Sequence, residues 1–391
     1  MRTLRNIAGI AYVEWLAIIR DRFLCLIAFG AVFLYLGLFG LVYYAGLLMH
    51  IPVAVWDQDR SPTSRRIVQM IEAGPRMDIV RMAGERAELE RLLRTGTVRA
   101  CFIIPEHLEQ DIESGRPARV AVEIDGTNLI YAYNLRRAVT DINRSLGAEL
   151  MSGSLIAAGV EPARAGRILE AVKFAGESRY NPTYNYCHFL YLVLIVIALQ
   201  QTCLLAEGLT LAREKERNTW VHFAMSPLSN AEVFAGKVLP YYLIMLGNAG
   251  LVLTGAHFFL QLPMHGNIML LWAAFALFGL AVVGLGYWVS SLCRDTVQAT
   301  MVICLFNLPM VLGSGFTWPA DSMAPGLRYA GWLFPVTWLA HAARAVTMKG
   351  CGWDVLARDF VMLAVLAVVF VSLAVAGTRR IRGKGGNLSG G

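Results

Sequence analysis

Six stretches of this chain are long, apolar and free of Asp, Glu, Lys and Arg: Phe23 to Met49, Cys187 to Ala206, Val238 to Leu260, Ile268 to Leu292, Val297 to Gly315 and Phe360 to Ala376. A helix needs roughly 20 apolar residues to cross about 30 Å of hydrocarbon at 1.5 Å per residue. The pattern therefore predicts a polytopic α-helical membrane protein with about six transmembrane helices. Composition agrees: 56% of residues are hydrophobic and 16% charged, against about a quarter charged in soluble domains. The first stretch is too long for a secretion signal and has no small-residue cleavage site after it, so it reads as an uncleaved anchor. The fifth is the least regular. Pro309 removes a backbone donor there, which predicts a kink near its outer end.

Orientation follows from the basic residues beside the spans. Arg2, Arg5, Arg20 and Arg22 precede the first; Arg213, Lys215, Arg217 and Lys237 lie between the second and third. Arg294 separates the fourth and fifth, and Arg379, Arg380, Arg382 and Lys384 follow the sixth. With six alternating spans all of these fall on one side, which places both termini in the cytoplasm, with residues 377–391 as a basic tail. The net charge of +7 has the same origin, because residues 51–186 hold 18 basic and 18 acidic side chains. Anionic membrane lipid is the partner that excess implies, and nucleic acid has no support. Residues 1–22 read as an interfacial amphipathic helix with Ile7, Ile10, Trp15, Ile18 and Ile19 on its apolar side.

Residues 50–186 are enough for one inserted extracytoplasmic domain. Val53 to Trp56, Asp78 to Arg81, Ala100 to Ile104 and Val120 to Ile124 read as strands. Ser61 to Glu72, Glu85 to Arg94, Pro105 to Ser114 and a long stretch from Leu129 read as helices. The alternation predicts a small α/β domain between spans one and two. Ser61-Pro62 supplies an N-cap followed by Pro at the first turn, and Ile104-Pro105 repeats the device. Asp57 and Asp59 could hold a cation, but no Gly or third ligand completes a calcium loop, and a strand-end turn that caps the following helix is the better reading. The seven Cys show no pairing pattern, and Cys101 reads as a small core residue.

The most informative segment is the connection 207–237. It opens with Glu207 and a charged run, Arg213-Glu214-Lys215-Glu216-Arg217-Asn218-Thr219. A short stretch with Trp220, Phe223 and Ala224 on one face follows, then Ser226-Pro227-Leu228-Ser229 and Gly236-Lys237. Spacing alone describes a solvated connector. In sequence, however, it resembles the signature loop of type-2 ATP-binding-cassette exporter permeases, with Asn218 where that family usually has Gly. Arg179-Tyr180-Asn181-Pro182, and the Pro-rich segment Gly315-Phe316-Thr317-Trp318-Pro319, Met323-Ala324-Pro325 and Phe334-Pro335-Val336-Thr337 through Arg344, are similar to two further stretches of the same family.

The resemblance implies a permease subunit of a bacterial inner-membrane exporter of drug-like or lipid-like substrates, paired with a second copy as homo- or heterodimer. It implies that Glu207, Arg213, Glu214, Lys215, Glu216, Arg217, Thr219, Trp220, Phe223 and Pro227 couple to a cytoplasmic ATPase, and that residues 316–353 form re-entrant helices on the outer side. A periplasmic adaptor would be a further partner. No G-x-x-x-x-G-K-[ST] run occurs, so ATP and Mg are expected on the partner and no cofactor or catalytic residue on this chain. Gln200, Gln201, Asn248 and Asn307 are the polar groups that could line a substrate path, or simply hydrogen-bond between helices. The competing reading is an ion-coupled secondary multidrug transporter, which would need ionisable groups within its spans.

Overall fold

Four of the apolar stretches lie wholly within helices, three of which outrun them, while the helices of the first and fifth are described to Tyr43 and Gly313. In the computed structural model the described residues are 2–43, 48–162, 180–181, 186–315 and 318–386. Arg179, Pro182, Phe316, Thr317 and the tail beyond 386 fall outside them. The chain divides into two units, Met1–Gly46 with Ser178–Gly391, and Leu47–Glu177.

The chain opens with α1 (Arg2–Arg20) and then the first span, made of α2 (Arg22–Cys25), a π-helical turn (Leu26–Gly30) and α3 (Ala31–Tyr43). The side of α1 turned into the protein carries Ile7, Ile10 and Ile18 but also Glu14, while Trp15 and Ile19 are exposed. The expected apolar side is thus rotated, because α1 packs its Ile7–Ile10 stripe on another helix instead of lying free on lipid.

The inserted unit comprises β1 (Ile51–Asp57), α4 (Pro62–Ala73), β2 (Met77–Met82), α5 (Arg86–Arg94), β3 (Ala100–Ile104), α6 (Leu108–Glu113), β4 (Ala121–Ile124) and α7 (Leu129–Ala157). The sheet order is β2-β1-β3-β4, with β1 parallel to β2 and β3, and β4 antiparallel at the edge. Ile51, Val53 and Val55 face Ile67, Ile71, Leu108 and Leu135 on one side of the sheet. Ala54 and Cys101 pack with Leu89 on the other. Alternation along β1 puts successive residues on opposite faces, which gives the unit its three layers. Burial pushes the Cys101 thiol up to about 11, as befits a core residue. Ser61 caps α4 through its side chain, which accepts from the Ser64 amide. Asp57 Oδ1 accepts from the amides of Asp59 and Arg60 at 3.1 and 3.0 Å, and its Oδ2 from Ser64 Oγ at 2.7 Å. Asp59 Oδ2 accepts from the Glu109 amide. The acidic pair therefore organises the turn before α4. The α6 helix begins at Leu108 rather than Pro105, because His107 takes a left-handed φ of 63°.

The remaining helices are α8 (Tyr186–Gly208), α9 (Thr210–Glu216), α10 (Trp220–Ala224), α11 (Asn230–Leu260), α12 (Ile268–Leu292), α13 (Thr296–Gly313), α14 (Pro325–Gly331), α15 (Pro335–Thr347) and α16 (Trp353–Gly386). Among the described residues, six helical segments are long and apolar enough to cross a membrane. Pro309 lies inside α13, which continues to Gly313. Helix α12 is central. A Cβ at Gly284 would lie 2.9 Å from the backbone of Phe370 and Val371, so α12 and α16 approach at a distance only glycine permits. The spans at the margin are the first and fifth, with 11% and 22% of their apolar windows buried against 78% in the second. This is a multi-pass membrane protein.

Candidate functional site

The stretch from Glu207 is not a loop. Helix α8 passes into α9 across Leu209, so helix continues to Glu216, well beyond the apolar segment of the second span. The interruption leaves the Leu211 and Ala212 amides to donate to Ser290 Oγ of α12 at 3.1 and 3.0 Å. The residues Ala-Arg-Glu-Lys-Glu favour helix strongly, which sustains it past the apolar segment. It stops in a Schellman turn: the Thr219 amide donates to Glu214 O and the Asn218 amide to Lys215 O. Asn218 sits at φ 55°, in the left-handed region where Asn is the best substitute for Gly. The departure from the family pattern noted in the sequence thus preserves the backbone conformation.

This helical overhang meets α1 and α11 in a buried ionic cluster. Lys237 of α11, 1% exposed, bonds Glu14 of α1 at 3.2 Å and also Glu214 of α9. Arg213 pairs with Asp21 at 3.2 Å, approaches Glu14 at 3.9 Å and donates to Tyr241 Oη at 3.3 Å. Tyr241 Oη donates to Glu14 Oε1 at 2.9 Å. The Lys237 ammonium also lies 4.6 Å from the Phe223 ring centroid. Asp21, which caps α2, is held below the usual carboxylate range by the Leu24 amide first, with Arg213 and the Phe23 amide adding to it. A bare Cβ at Gly236 would lie 2.5 Å from Ile10 Cβ, so the glycine lets α1 seat on α11. Sequence reasoning missed Glu14 and Tyr241. The signal for Glu14 was present: an acid at Ile10 + 4 and Ile18 − 4, in line with the apolar stripe of α1.

Lys215 and Glu216 serve neighbouring helix ends. Lys215 Nζ donates to the carbonyls of Ser290, Ser291 and Cys293 at 2.9, 2.8 and 2.6 Å, capping the C-terminus of α12. Glu216 accepts from the amide and hydroxyl of Thr296 at the start of α13, both at 2.9 Å. Arg382 of α16 donates to the carbonyls of Ser226 and Leu228 and to Asn230 Oδ1, fixing the Ser-Pro turn. A capping box, Ser229 with Glu232, then starts α11. Of the residues expected to face a partner, Arg217, Thr219 and Pro227 are exposed and Trp220 and Phe223 half-buried. Val221, His222 and Met225 complete the exposed rim.

Glu207 lies close enough to the ionic cluster to feel the charges of Glu14, Lys237 and Arg213, yet it bonds to none of them. It is fully buried against Gly286, and neither carboxylate oxygen has a hydrogen-bond partner among the described residues.

The four amides named from the sequence fall into two places. Gln200 Nε2 lies 3.5 Å from Asn307 Oδ1, and Gln201 Nε2 lies 3.9 Å from Cys304 Sγ, all between the second and fifth spans. The side-chain carbonyl oxygens of both glutamines are buried without a partner among the described residues. Asn248 is elsewhere: its Nδ2 donates to Ala28 O, in the π-turn of the first span, at 2.8 Å. A π-turn shifts the local hydrogen-bond register, and Asn248 engages one of its carbonyls. Among the described residues no group of three His, Cys, Asp or Glu could hold a metal ion.

Six apolar helices around a charged, helix-linking end are matched by a family model described as ABC-2 family transporter protein, over residues 22–376. The chain belongs to that family. It is 24% identical to the inner membrane transport permease YhhJ of Escherichia coli over 98% of this chain and 99% of that protein. It is 23% identical to the probable multidrug ABC transporter permease YbhR of the same organism, over 84% of this chain and 86% of that one. The linearmycin resistance permease protein LnrN of Bacillus subtilis is 24% identical over 42% of each chain. The ABC-2 match spans both units, so the inserted α/β unit is part of the family's architecture here.

Proposed function

We propose that this ABC-2 permease is the membrane subunit of an ATP-driven exporter that moves an amphipathic or hydrophobic substrate outward, powered by a separate ATPase. Its relatives are named as probable multidrug, inner membrane transport and linearmycin resistance permeases. In this reading the basic end faces the cytoplasm, where anionic lipid attracts it, and two permease copies assemble with two ATPases.

The observation that carries the coupling proposal is the buried ionic cluster. A partner pressing on the exposed rim from Arg217 to Pro227 acts on a short segment whose ends are continuous with α9 and α11, and Glu14, Glu214, Lys237 and Arg213 tie those helices to α1. Motion at the rim is then passed to the second and third spans together. The partner-facing residues are Arg217, Thr219, Val221, His222, Met225 and Pro227. Glu214, Lys215 and Glu216 act within the permease.

The test is co-purification of the candidate ATPase with folded variants. Arg217→Glu combined with Met225→Asp should abolish the complex and ATP-dependent transport while leaving the permease monodisperse. A complex of undiminished yield would exclude this rim as the docking surface.

Glu207 favours a second reading, ion coupling, since a buried carboxylate without a hydrogen-bond partner among the described residues could carry a proton. That reading requires transport driven by a pH gradient in proteoliposomes without any ATPase, abolished by Glu207→Gln.

A further inference from the structure

In the inserted unit, the space between α7 and the sheet is incompletely filled. Leu135 and Ala138 of α7 are buried, but Val139, Ile142, Leu146 and Leu150, spaced three and four residues apart on one side of the helix, are only half-buried. They line a cavity of about 570 Å³ whose other walls come from α4, β3, α6, β4 and the connection before β4. That size lies within the range of about 300–1,000 Å³ usual for small-molecule sites. Phe102 of β3 is the one aromatic side chain in an apolar wall otherwise made of Ile, Leu, Val and Ala. Such a wall, left without partner atoms, forfeits dispersion contacts that a ligand would restore.

Gly147 belongs to the same wall. It stands in the middle of α7, where only proline is less favourable than glycine. A Cβ there would meet no atom within 4 Å, so close packing does not require the glycine, and the missing side chain leaves the cavity its room. Polar groups sit at the exposed mouth: Arg119, Thr140 and Asn143. Thr140 is turned back onto its own helix, donating to Arg136 O at 2.9 Å. Arg119 is the one charged residue of the lining, and neither it nor the Asn143 side chain has a partner among the described residues.

We propose that this cavity binds a single-chain fatty-acid anion, the hydrocarbon chain lying between α7 and Phe102 and the carboxylate held at Arg119 and Asn143. A flexible aliphatic chain suits a wall of branched aliphatic side chains with a single ring. One guanidinium fork with one neighbouring amide suits one carboxylate. Binding here needs neither the ATPase nor the ionic cluster, so it stands apart from the coupling proposal.

The experiment uses the full chain in lipid nanodiscs and a diazirine-bearing palmitic acid, with labelled peptides mapped by mass spectrometry. Wild type should be labelled within residues 102–150, at least fivefold more than with the matching diazirine-bearing hexadecanol, which enters the bilayer but has no carboxylate. Excess unlabelled palmitate should remove that labelling. Gly147→Leu fills the cavity without deleting a contact, and should lower labelling at least fivefold with unchanged elution and no loss of melting temperature. Arg119→Gln, at an exposed position, should bring labelling by the acid down to that by the alcohol, and Arg119→Lys should recover part of the difference. Equal labelling of wild type by the alcohol, labelling that excess palmitate leaves unchanged, or acid labelling indifferent to either Gly147→Leu or Arg119→Gln would overturn the proposal.

Discussion

Lys237 shows how one residue type changes meaning with its surroundings. In the sequence it is one of many basic flanks; in the fold it is buried between two carboxylates. Removing one partner of a buried ion pair costs about 3–5 kcal/mol, mostly because the other charge is left uncompensated. Lys237→Met should therefore lower the melting temperature of the detergent-solubilised protein substantially, and Lys237→Met with Glu14→Gln should recover part of the loss. Asn218 predicts a subtler pair of outcomes. Asn218→Gly should be neutral in the same assay, whereas Asn218→Val should cost about 1–2 kcal/mol because a β-branched residue resists φ 55°. In the inserted unit, Asp125 is pushed down to about 2 by Thr127, through its hydroxyl and its amide, and then by Arg99. A depressed carboxylate contributes stability above its unfolded value of 3.8 that is lost as pH falls through the folded one. Between pH 4 and 2 the hydrogen-exchange protection of β3 and β4 should fall in wild type and fall less in Asp125→Asn, measured on the full chain.

The decisive element is the seam where α1 seats on α11. Gly236 makes it possible, and Asn6 adds a bond to Glu232 at 3.2 Å across it. Gly236→Leu should displace α1. In a cysteine-free background, the Asn6→Cys/Glu232→Cys pair should cross-link readily when Gly236 is present and poorly when it is replaced. An unchanged cross-link yield would mean α1 is held mainly by the ionic cluster. The overhang of α8 and α9 teaches a related lesson. Charged residues ended the apolar stretch near Ala206, yet the helix goes on to Glu216 because Ser290 receives the two amides left without helical acceptors. Hydropathy marks where lipid ends, and hydrogen bonding marks where the helix ends.

For the whole molecule, exposed apolar surface is the main guide to partners. The fifth span leaves Met301, Leu305, Phe306, Leu308 and Leu312 outward, and the first span is similarly bare. Lipid accepts such faces, and so does a second copy. Single cysteines at Met301 and Leu308 should form cross-links between copies in membranes if the fifth span lies at the permease–permease interface. Labelling by lipid probes alone would assign that face to the bilayer.

Much of the architecture was legible without coordinates. Six charge-free runs of spanning length, basic flanks in register and alternating strand and helix patterns depend on local composition and period, and the helices and strands appear close to where those patterns place them. Even the helix start at Ser61 follows from a two-residue signal. The site was legible only in outline. Motif resemblance located the segment from Arg213 to Pro227, but not which of its side chains face inward, because that depends on contacts between helices far apart in the chain. Glu14 and Lys237 lie 223 residues apart, and so do not reveal their pairing through any spacing. Tertiary structure alone decided that Glu214, Lys215 and Glu216 bond to neighbouring helices while Arg217, Thr219, Val221, His222, Met225 and Pro227 stay exposed.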